Sequence, residues 1–220
     1  QRRCSCNSTS KCSFSCFIAM PITLNGNGTI TGVSVGGLPD GIVDTDMLAN
    51  GAVTAPKRGA GAILQVVQDT KTDTFSTTSA SDVEVSGLSV SITPSSASNK
   101  VLISVNMGQV GGHEDAYAGF TLFRTIGGTS TDLLIGDAGG GNRPSVTLVG
   151  VTNNFESYNT YSASFEFLDS PNTTSQITYK IKVRSGYNNY TVNVNRMNTN
   201  DDQNYTFRGA STYIAKEIAA

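Results

Sequence analysis

The chain of 220 residues is charged at only 15% of its positions and carries a formal net charge of -2, so it has no basic surface on which counterion release could hold a phosphate backbone. No apolar run approaches the ~20 residues that a helix needs to cross a bilayer, which excludes helical membrane insertion. Trp is absent, Gly numbers 23, and Ser, Thr and Asn fill most polar positions, a composition suited to short strands and turns.

All four cysteines, Cys4, Cys6, Cys12 and Cys16, precede Met20. Their spacing is not that of a zinc finger, no His lies nearby, and two small disulfides are the other chemistry available to them. The stretch also lacks the continuous apolar core of a signal peptide. Residues 1–19 therefore read as an atypical Cys-rich extension ahead of a start at Met20.

From Met20, Ile22 and Leu24 alternate with Pro21 and Thr23, and Ile30, Val33 and Val35 sit among glycines, giving short extended pieces with little core of their own. In "DGIVDTDMLANGAV", Asp44 can cap a short helix near 44–50 that ends at Asn50-Gly51. One or two helical turns do not stand alone in water. Two readings follow, a plain surface connector or a registration element whose Met47, Leu48 and Val53 pack between chains around a threefold axis. Residues 20–61 form an extended attachment and trimerisation segment on the second reading.

Beyond the "GAGA" of 59–62 the pattern changes to dense strands. Val101, Ile103, Val105 and Met107 recur at every second position; so do Ala118, Phe120 and Leu122, then Tyr161, Ala163, Phe165 and Phe167, then Ile177, Tyr179, Ile181 and Val183. The last is the cleanest, with Thr178, Lys180, Lys182 and Arg184 on its wet face. Less regular strands are expected over 63–67, 83–85, 88–92, 133–135, 146–151, 190–194 and 213–218. About ten short strands between turn-forming loops predict an all-β domain over 62–220, an antiparallel β-sandwich or jelly roll.

Catalytic and metal chemistry finds little support. His113, the sole histidine, lies in the loop triplet "HED", without a nucleophile or orienting group in the sequence around it. "GDAGGGNRP" lacks the ending of a phosphate loop, and neither "DTKTD" nor "NTNDDQN" matches a calcium loop. No catalytic residue, cofactor or metal ligand is expected. Five Asn-x-Ser/Thr sequons, at Asn7, Asn27, Asn172, Asn189 and Asn204, are in keeping with chance in a chain this rich in those residues.

A binding-type surface is the remaining signal. Tyr187, Tyr190 and Tyr205 are interspersed with Asn193, Asn195 and Arg196, combining apolar ring faces with donors and acceptors suited to sugar or protein contacts. The alternative reading has Val192 and Val194 facing a core while the Asn residues solvate the other face.

The phrases "MPITLNGNGTITGVSVGGLPDGIVDTDMLANGAVTAPK", "FLDSPNTTSQITYKIKV", "NVNR" and "ASTYIAKEI" resemble those of tail-fibre-like and other virion appendage proteins of aquatic bacteriophages, especially cyanophages. The resemblance covers nearly all of 20–220 and does not extend to 1–19. It implies a noncatalytic homotrimeric virion component, held to other virion proteins through residues 20–58, whose jelly-roll-like head meets the host surface, with glycan as the candidate receptor. A capsid decoration or cement protein is the structural alternative, and a polysaccharide depolymerase the enzymatic one.

Overall fold

The computed structural model describes residues 50–54, 57–137, 139–152, 158–187 and 190–220, with the backbone alone at 23–24, 30–31 and 151–152. The chain divides into two compact units, 1–52 and 53–220. In the first, β1 (Thr23–Leu24) and β2 (Ile30–Thr31) pair antiparallel with Leu24 opposite Ile30. The helix expected near 44–50 lies outside the described residues except for Asn50, which sits in a turn with Gly51.

The second unit is an antiparallel β-sandwich. One sheet holds β3 (Ile63–Lys71), β4 (Phe75–Thr77), β6 (Lys100–Gly112), β10 (Tyr161–Asp169), β12 (Val192–Val194) and β13 (Ser211–Ile218). The other holds β5 (Val83–Ile92), β7 (Tyr117–Ile126), β8 (Thr129–Leu133), β9 (Leu148–Thr152) and β11 (Ile177–Ser185). In the first sheet, β3 and β4 run in line along an edge and pair with β13 and β12, which pair in turn with successive parts of β6; the other side of β6 takes β10. In the second, β5 pairs with β11, β11 with β7, and the far side of β7 with β9 and then β8. Counting each in-line pair as one strand, the chain order reads 1-8-3-6 across one sheet and 2-7-4-5 across the other, the winding of a jelly roll.

The alternation of the sequence is what the two inner faces use. Val101, Ile103, Val105 and Met107 of β6 and Ile177, Tyr179, Ile181 and Val183 of β11 are all buried in one core between the sheets. Tyr161, expected on that face, is 36% exposed, because the register slips between Tyr161 and Ala163. The strand expected at 133–135 is instead β8 at Thr129–Leu133: Gly127 and Gly128 (φ 56° and 85°) make a two-residue hairpin turn that only glycine takes readily. The two strands expected at 83–85 and 88–92 are a single β5, which continues through Gly87.

Polar groups inside are satisfied at three places. Arg124 from one sheet donates to both oxygens of Asp169 from the other (2.6 and 2.5 Å), and the Tyr179 hydroxyl donates to Asp169 Oδ2 at 2.8 Å. Lys71, fully buried at its side chain, gives its ammonium to both Asp73 oxygens (2.9 Å) and the Ser86 carbonyl (2.7 Å). That hydrogen bond and the adjacent charge hold the Asp73 carboxyl below its usual range. Glu217, 1% exposed, accepts from the Ser95 amide and hydroxyl (both 2.7 Å), from Asn99 Nδ2 (2.6 Å) and from Gln65 Nε2 (2.7 Å). Burial alone would raise its carboxyl, but these donors outweigh that and hold it below the ordinary 4.5.

A carboxyl depressed in the folded state stabilises the fold above its unfolded value and loses that contribution as pH falls through the folded one. Urea unfolding from pH 7 down to pH ~3 should therefore show a loss of stability below pH ~4.5, shrinking in Glu217→Gln, which should itself cost about 2 kcal/mol at neutral pH. Gly108 is the second test. A Cβ there would lie 2.0 Å from the Ala210 carbonyl oxygen, and Gly108→Ala should cost about 3 kcal/mol by the same measurement.

Candidate functional site

The far end of β6 leads through the loop 113–116 into β7, and β11 ends beside it. The two loops are tied together by backbone bonds: the His113 amide donates to the Thr191 carbonyl (2.9 Å) and the Gly186 amide to the Tyr117 carbonyl (2.7 Å). Ser185 Oγ donates to the Tyr187 carbonyl at 2.7 Å and fixes the start of the second loop.

On this frame four rings, three from the two loops and Tyr117 from the start of β7, form one continuous cluster. His113 lies flat on Tyr190, with ring centres 4.4 Å apart and planes 13° from parallel. Tyr190 meets Tyr187 edge-on at 6.0 Å, and Tyr187 meets Tyr117 at 5.5 Å. Tyr187 is 56% exposed, Tyr190 and Tyr117 half-buried. The Asp115 amide donates to His113 Nδ1 at 3.2 Å, steadying the imidazole at the rim. Against Tyr117 opens an apolar notch of about 110 Å³ lined by Pro144, Val146, Val149, Gly119 and Arg184. Arg184 is committed within the fold, donating to the Ala80 carbonyl and standing 3.8 Å from Asp82. Exposed ring faces with hydroxyl rims beside a small apolar notch can stack on the C–H face of a sugar ring and bond its hydroxyls.

No protein family matches this sequence, and no curated protein does. Solved structures similar to it include three from infectious bursal disease virus. The Gx strain shares 13% identity over 71% of this chain and 37% of its own, with a TM-score of 0.34. Particles derived from a mutant VP2 protein share 14% over 71% and 36%, TM-score 0.32, and the Gt strain 15% over 73% and 39%, TM-score 0.31. This chain thus spans less than two fifths of those chains, and a likeness so low bears no weight for function.

The residues singled out in the sequence separate in the structure. Tyr187 and Tyr190 come together at the ring cluster. Tyr205 belongs to a different place, edge-on to Tyr158 at 5.5 Å, and that neighbour raises its hydroxyl's pKa. Asn193 and Asn195, expected on the surface, are fully buried. Asn195 Nδ2 donates to the Lys71 and Asp73 carbonyls (2.8 and 3.0 Å) and its Oδ1 accepts from Ser211 (2.7 Å). Asn193 Oδ1 accepts from Ser76 (2.7 Å) and from Nε of the half-buried Arg196 (3.0 Å). The reason is that residues 195–210 leave the sheet between β12 and β13 and cover what strand alternation alone would leave wet. Val53 is 48% exposed, whereas Met47 and Leu48 lie outside the described residues. His113 and Tyr117 were not legible as partners of Tyr190 and Tyr187, since only the pairing of two distant loops brings them together. Among the described residues no group of three His, Cys, Asp or Glu side chains is arranged to hold a metal ion.

Asn195→Ala should act as a core substitution, removing three hydrogen bonds at a φ of 62° and lowering unfolding free energy by about 2 kcal/mol in urea.

Proposed function

We propose that this chain is a noncatalytic structural protein of a virus particle, a trimeric bacteriophage tail fibre or spike whose jelly-roll head binds host-surface glycan through the ring cluster of His113, Tyr190, Tyr187 and Tyr117. The observation that carries the reading is the cluster itself, an aromatic surface beside an apolar notch. Its position supports a role in display. β6 runs for 13 residues, about 40 Å, from the end where residues 57–62 join the sandwich to the end that carries the rings. The resemblance of residues 20–58 to virion appendage segments supplies the attachment half of the proposal.

A shallow aromatic site binds one sugar weakly. Three copies on one particle component gain effective concentration, so the assembled fibre holds a surface that no single head would.

Tyr187→Ala, an exposed substitution, should reduce binding of the full chain to an array of bacterial surface polysaccharides at least tenfold while leaving the unfolding midpoint unchanged. Equal binding by wild type and variant, or binding to no glycan, would reject the glycan part; release of reducing ends from those polysaccharides would reject the noncatalytic part.

A further inference from the structure

The two sheets finish their outer faces differently. On the β5-β11-β7-β8 sheet each outward cation of β11 faces an acid: Lys180 with Glu84 at 2.8 Å, Lys182 with Asp132 at 2.6 Å and Arg184 with Asp82 at 3.8 Å. Lys182 also covers the Phe123 ring, 4.7 Å from its centre. This face is matched in charge, with Val149 exposed at the notch beside Gly119.

The outer face of the β3-β13-β6-β10 sheet is not. Its register sets Val66, Lys216, Leu102 and Leu168 side by side in one row across all four strands, and the adjoining row holds Ile63, Ile218 and Lys100. Val66 is 57% exposed, Ile63 50% and Leu168 46%. Neither Lys100 nor Lys216 has an ion-pair partner among the described residues. The next row holds Gln68, Ile214, Ser104 and Glu166, and Glu166 accepts from Ser104 at 2.6 Å. The apolar rows border the place where the chain enters the sandwich, since Ile63 begins β3 and the Gly61 amide donates to the Ala219 carbonyl.

We infer that this face is a homotypic interface, on which the next copy of this chain packs about an axis roughly parallel to the strands. The inference rests on the homo-oligomeric part of the proposed function and assigns the face that does the joining. Two features select a second copy. Val66 and Leu168 occupy opposite edges of the same row, so a rotation about such an axis brings Val66 of one copy to Leu168 of the next at equal height, a head-to-tail contact that closes into a ring. The face also offers opposite charges to itself, because the same rotation carries Glu166 from the β10 edge to the height of Gln68 on the β3 edge, one row from Lys216. Four strands about 4.8 Å apart and about eight residues long present roughly 500 Å², so closing a ring of three copies buries roughly 1,500 Å² in all, about 500 Å² at each contact between two copies. An exposed apolar row of this kind, left bare, would make the sheet sticky toward any partner.

The test is a cysteine pair in the full chain with Cys4, Cys6, Cys12 and Cys16 replaced by Ser. Val66→Cys combined with Leu168→Cys cannot close within a chain, because two strands separate the positions. Mild oxidation should give a band at three times the 23.1 kDa chain mass on a non-reducing gel, whereas each single variant remains at the chain mass. Leu168→Glu, a surface change, should cut the mass measured by light scattering threefold with an unaltered circular dichroism spectrum. A trimer by light scattering that forms no Val66 to Leu168 cross-link would overturn this face and leave the trimer standing. Cross-linked dimers of the single variants would overturn the ring arrangement, and a monomer at micromolar concentration would overturn both the face and the trimer.

Discussion

The sandwich depends on β6 remaining unbroken across a gap in its neighbour. Along one side β6 must satisfy its backbone against β13 and then β12, although the chain leaves the sheet between them for residues 195–210. Buried amides and carbonyls need partners, so the gap is closed locally. The Asn195 amide donates to the Gln109 carbonyl at 2.7 Å, and the Gln109 side chain donates to the Phe207 carbonyl and accepts from the Gly209 amide. Gly108 lets the backbone of Ala210 approach where any side chain would collide. With the gap closed, Val194 and Tyr213 from the two in-line strands lie in the same core.

The rest of the architecture follows from that continuous strand. One end of β6 pairs with the end of β13, which pairs in turn with the beginning of β3; the other delivers His113 to Tyr190. Polar groups secure the layers at their margins, where Asp169 joins Arg124 and Tyr179 across the two sheets and Glu217 of β13 gathers donors from β3 and the 93–99 loop. The molecule thereby separates its surfaces: rings at one end, matched charges on one sheet, apolar side chains and two unmatched lysines on the other. On the proposed function this separation has a use, since an adhesive face turned toward copies of the chain would leave the exposed loops accessible.

Much of the fold could be read from period-two alternation. β11 shows this most clearly: Ile177, Tyr179, Ile181 and Val183 go inward, and Lys180, Lys182 and Arg184 find Glu84 on β5, Asp132 on β8 and Asp82 just before β5. Alternation is a local property, and it failed where the surroundings were non-local. The Asn193 and Asn195 positions look solvent-facing beside Val192 and Val194, yet the 195–210 excursion and the carbonyls of Lys71 and Asp73 enclose them. Strand ends moved where turn geometry decided them, as Gly127-Gly128 drew β8 back to Thr129–Leu133.

By itself the sequence determined that the chain is all-β, which residues supply its core, and that Tyr187 and Tyr190 lie in a polar loop region, because composition and spacing act within a strand or a turn. The tertiary structure alone decided that Tyr187 and Tyr190 join His113 and Tyr117, that Tyr205 does not, and that Val66, Leu102 and Leu168 align in one exposed row. Those neighbours lie far apart in the chain, and only strand pairing and register, settled by burying both inner faces at once, bring them together.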